Sequence, residues 1–126
     1  MARLKKLVVA LSLVGLSAIG LSACGAGGAI ADAKASCLLV DRAIALQKQS
    51  HAKGLSAQQV STLQTEALTE LLKATPKAAE ATSADGSWNP LMTTINEAER
   101  VPFDNLTASL AQMCQVANSQ NPYLGQ

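Results

Sequence analysis

Apolar positions along this chain fall into two kinds of pattern. From Leu7 to Leu21 they form an almost unbroken uncharged run, LVVALSLVGLSAIGL, which follows a short basic stretch holding Arg3, Lys5 and Lys6. Further on they recur at steps of three and four residues, the repeat of a helix with one apolar face. Ile30, Ala33, Cys37, Val40 and Ile44 make the first such stripe, widened by Leu39, Ala43 and Leu46, with Lys34, Asp41 and Lys48 on the polar side. This predicts a helix over Ile30 to His51. Gly54 is read as its stop, because glycine tolerates the left-handed backbone that closes helices.

The next helix announces its own start. Ser56-Ala57-Gln58-Gln59 fits a capping box, with Leu55 and Val60 placed to staple across it. Val60, Leu63, Ala67, Leu71 and Ala74 then form a stripe flanked by Leu68 and Leu72. Thr75-Pro76 interrupts it, since proline lacks an N–H and biases the preceding residue away from helical angles. A kink or end is expected there, with a fresh turn from Pro76 to about Ala81. Thr82 to Asn89 reads as a loop, and Pro90 suits a first helical position. Leu91, Met92, Ile95 and Ala98 predict a short third helix with Trp88 packed at its base. Val101-Pro102 breaks it. Asp104 is placed to cap a fourth helix whose inward residues are Leu106, Leu110, Met113, Cys114 and Ala117, and the stretch from Asn118 is polar. The expected fold is all-α, a small bundle of two long helices followed by two shorter ones.

Composition supports that class. With one Trp, one Tyr and one Phe, the core must come from Ala, Leu, Ile and Val, which suits close-packed helices. No alternating run of β-branched and aromatic residues follows the leader. The formal charge of +1 includes three cations of the leader. Without them seven Lys/Arg face nine Asp/Glu, a balance of about −2 that lacks the positive footprint of nucleic-acid binding.

The apolar run is about 15 residues long, short of the roughly 20 a membrane-spanning helix needs, and it suits a signal-peptide core. Its basic end stays cytoplasmic by the positive-inside bias. It ends in Leu21-Ser22-Ala23-Cys24, which resembles the lipobox of bacterial lipoproteins: an aliphatic residue, two small ones, then cysteine. The resemblance implies that residues 1–23 are removed and that Cys24 becomes an N-terminus carrying lipid, with acyl chains of the palmitate kind. It also implies an exported protein, lipid-anchored to the cell membrane or outer membrane of a bacterium. Residues 24–29, with Gly25-Ala26-Gly27-Gly28, read as a flexible tether, residues 30–118 as the helical domain and residues 119–126 as a polar tail.

With Cys24 assigned to lipid, Cys37 and Cys114 remain as an even pair in an oxidising compartment. One disulfide closing about 77 residues would contribute at most roughly 4–5 kcal/mol by loop-closure entropy. Two buried free thiols are the alternative. A zinc site lacks the spacing it requires. If the pair is bonded, residues 90–118 cannot form one straight helix, because Cys114 would then lie on the order of 20 Å from Cys37. A turn at Pro102 sends the last helix back.

Candidate chemistry is sparse. His51 falls near a helix end, where a protonated ring favours the dipole, and no motif sets a nucleophile or carboxylate beside it. Glu66 and Glu70 lie one turn apart but lack the Glu-x-x-His of di-iron bundles; a solvated face with Lys73 and Lys77 nearby is the plainer reading. Glu97 and Glu99 point to different faces, and Met92 and Met113 sit on apolar stripes as core residues. No catalytic residue, metal site or cofactor is expected. In outline, a short exported helical domain with one early and one late cysteine also resembles the small haemophore-like proteins of mycobacteria, without a matching binding motif. The expectation is a non-enzymatic, surface-tethered interaction domain whose partners are the membrane, through Cys24, and an envelope protein or small ligand. The alternative is a carrier of haem or lipid.

Overall fold

The computed structural model describes residues 28–120. Residues 1–27, Cys24 among them, and residues 121–126 lie outside that range. Every regular element in it is helical: α1 (Gly28–Ser50), α2 (Ala57–Lys73), α3 (Thr75–Ala84), α4 (Asn89–Glu97) and α5 (Thr107–Ser119), with 3-10 turns at Gly86–Trp88 and Phe103–Asn105. The chain is an all-α bundle. α1 begins at Gly28, so Gly28 and Ala29 belong to the helix and not to the tether.

The Ser56 capping box forms as the sequence implies. Its hydroxyl accepts from the Gln59 N–H at 3.2 Å, and the Gln59 side chain accepts from the Ser56 N–H at 2.8 Å. Gly54 takes φ +87°, but it lies in the loop between α1 and α2, beyond the helix end at Ser50. At Thr75-Pro76 the chain breaks without a loop. Ala74, in helical geometry, ends α2 and starts α3 at once. Pro76 sits in the first turn of α3, where no partner is required of its missing N–H. α3 runs three residues further than the expected turn, to Ala84. Its stripe of Ala74, Ala78 and Ala81 is fully buried, and the Thr82 hydroxyl folds back onto the Ala78 carbonyl at 2.8 Å.

α4 opens on Asn89-Pro90 and buries Leu91 and Ile95. Trp88, only 8% exposed, packs into the core beside it. The break at Val101-Pro102 is present. Asp104, however, does not cap α5. A 3-10 turn intervenes, Leu106 takes the cap position without a side-chain bond, and the Asp104 carboxylate turns toward α1 instead.

α1 is the central helix and touches α2, α3 and α5. α2 and α3 run down its length, with Ser36 bonded to Ala74 and Asp32 to Lys77. α4 returns and α5 descends, so Asp104 meets the end of α1 while Cys114 meets Cys37. That pair is joined, with sulfurs 2.08 Å and Cα atoms 5.3 Å apart. Val40, Leu71, Leu91, Ile95 and Leu110 are the largest fully buried side chains, and alanines at 33, 43, 74, 78, 81 and 117 let the helices approach closely. Each large aliphatic buried is worth about 1.5–3 kcal/mol relative to exposure.

Candidate functional site

The last turn of α1 gathers polar groups at one end of the bundle. Gln47 continues the apolar stripe one turn beyond Ile44 and is 5% exposed. Its amide donates to the Asp104 carboxylate at 2.9 Å. The Ser50 hydroxyl donates to the Gln47 carbonyl at 2.6 Å. His51 Nε2 stands 2.9 and 3.1 Å from the two Asp104 oxygens, which requires that this nitrogen carry the proton. The His51 contact, and then the Gln47 bond, hold the Asp104 carboxyl below its ordinary value of 3.8. Beside this cluster lies a cleft of about 300 Å³, floored by Leu68, Pro102 and the half-buried Phe103 and edged by Gln47, Gln64 and Asp104.

The His51–Asp104 pair resembles two-thirds of a hydrolytic triad: Nε2 donates to the carboxylate, which leaves Nδ1 as the ring's acceptor nitrogen. Neither hydrogen bond of His51 involves a serine or cysteine. What the arrangement achieves is mechanical: it ties the turn before α5 to the end of α1.

A second cleft, of about 420 Å³, opens between α1 and α2 and is lined by Arg42, Ala45, Leu46, Gln49, Glu66 and Glu70. Glu66 and Glu70 share this wall. Glu70 pairs with Lys73 at 2.6 Å, whereas Lys77 is engaged with Glu80 and with Asp32 near the start of α1. Glu97 pairs with Arg100 across the end of α4. Met92 and Met113 pack partly buried against the core. Among the described residues no three metal-ligating side chains converge, and no helix is long and apolar enough to cross a membrane.

The His51–Asp104 contact joins residues 53 apart in sequence, and no local pattern announces it. Gln47 did carry a signal, a polar residue on an apolar stripe, which asks for a buried partner. Cys24 lies outside the described residues. No family model, no curated protein and no solved structure matches the chain.

Proposed function

We propose that the chain is an exported bacterial lipoprotein, moored by lipid on Cys24, whose helical domain works by contact with another envelope molecule and not by catalysis. The Cys37–Cys114 bond carries this reading. It consumes two of the three cysteines and leaves Cys24 as the one outside the bridge, at the end of the lipobox-like segment. Disulfides persist in oxidising compartments, in keeping with a secretory leader. With both cysteines buried, the bond acts as a brace and not as an exchanging thiol.

The four residues from Cys24 to Gly28 span at most about 14 Å. α1 would therefore start close to the lipid, and its 23 residues would carry the far end roughly 33 Å along its axis. The Phe103 cleft with its amide and carboxylate edge is at that far end, which suits a protein partner reached across the envelope. The Cys24→Ala variant should lose membrane fractionation, and the native protein should weigh more than its cleaved chain by the mass of its acyl groups. Retention of the variant in membranes with an unaltered mass would defeat the reading.

The α1–α2 cleft favours a second reading, since its volume of about 420 Å³ falls within the range of small-molecule sites. In that reading the domain carries haem or lipid. Soret absorbance on haem titration, or lipid co-purifying in mass spectra, would support it; a protein that stays empty in both counts against it.

A further inference from the structure

The solvent-facing side of α1 holds features that packing within the chain leaves unused. Leu38 is 66% exposed, more than any other large hydrophobic side chain among the described residues. Ala31 and Ala45, seven residues before and after it, are exposed as well. Seven residues is close to two helical turns, so the three lie in one line. Asp41 flanks this line about 60° to one side and Arg42 about 40° to the other. Both are exposed, and neither meets an opposite charge among the described residues.

We propose that this face pairs two copies of the chain, α1 against α1, in parallel about a two-fold axis along the helices. A two-fold contact needs a surface complementary to itself, and the charges here supply one. In the parallel arrangement one copy's Arg42 flank faces the other copy's Asp41 flank at nearly the same height, and does so twice. Leu38 meets Leu38 at the axis, while Ala31 and Ala45 let the backbones approach.

The antiparallel arrangement would use the same charges differently. With Leu38 on the axis it would bring Asp41 level with Lys34 of the other copy, but it would leave Arg42 facing Ala35. The parallel sense is the one that leaves both Gly28 ends on one side, as two chains moored in one membrane require, so the orientation rests on the proposed anchor. The pairing itself rests on α1 and does not depend on the lipid.

The test is sedimentation of the full chain in mild detergent across the micromolar range. The wild type should dimerise. Asp41→Arg should raise the dissociation constant at least about tenfold, and the double change Asp41→Arg with Arg42→Asp should restore pairing. In membranes, Ala45→Cys should cross-link copies on oxidation, and Gln112→Cys on the exposed side of α5 should not. Repeating the measurement with Cys24→Ala separates this proposal from the anchor, since pairing should persist without lipid. A wild type that stays monomeric, with or without a bound hydrophobic molecule, overturns the proposal. So does a dimer indifferent to Asp41→Arg, or an Ala45→Cys chain that gives no cross-link.

Discussion

Ser36 sits on the apolar stripe of α1, one residue before Cys37, and its hydroxyl donates to the Ala74 carbonyl at 3.0 Å. A buried hydroxyl without a partner costs roughly 1–3 kcal/mol, so this bond decides whether serine is tolerable there. Ala74 can accept it because its carbonyl lies at the α2–α3 break, where it also takes the Ala78 N–H at 3.0 Å. The same logic governs Asp104. Its carboxyl is held below 3.8 by His51 and then Gln47, so the folded state favours the charged form. That contribution is fully present above the unfolded value, fades as pH drops below it, and is gone once pH passes under the folded value. Asp104→Asn should therefore lessen the loss of stability on acidification, read as urea midpoints from neutral pH to below about 3. Glu80, lowered by Lys77, and Asp85, lowered by the Ser87 backbone N–H, act in the same sense and would keep part of the slope. An acid limb identical in variant and wild type would deny Asp104 this role.

At the scale of elements, local chemistry accounts for where helices start and the buried stripes for how far they run. The Ser56 box satisfies two backbone donors at the head of α2, and capping serines are typically worth about 1 kcal/mol. Ser56→Ala should lower the melting temperature by about 4–8 °C, the shift expected per kcal/mol in a domain of this size. A thermal scan showing no change would mean that tertiary packing alone holds the start of α2. The break at Pro76 and the restart at Pro90 were legible because proline acts on its own residue and the one before. The length of α3 was not legible. Thr82-Ser83-Ala84 reads as a loop by composition, yet the buried face of Ala74, Ala78 and Ala81 carries the helix on through it. Asp104 misled for a related reason: an acidic residue ahead of an apolar stripe resembles a cap, but the 3-10 turn at Phe103–Asn105 uses up the residues between it and α5.

For the whole molecule, the Cys37–Cys114 bond spans 77 residues and ties the first and last described helices together. Reduction should destabilise the domain by up to about 4–5 kcal/mol, a large share of the roughly 5–15 kcal/mol that keeps a domain folded. Urea unfolding with and without reductant measures this, and equal midpoints would make the bond incidental. The sequence by itself determined the helical class, the positions of the main breaks and the pairing partners available to cysteine. Those depend on periodicity, proline and residue counts, which are properties of neighbours along the chain. Only the tertiary structure decided what Gln47, Ser36, His51 and Asp104 are for, which side of α1 is left bare, and that Lys77 turns to Asp32 and away from Glu66 and Glu70. Such contacts follow from how far each helix runs before it turns and from the angle at which it packs, quantities set jointly by all the buried faces and carried by no single stretch of residues.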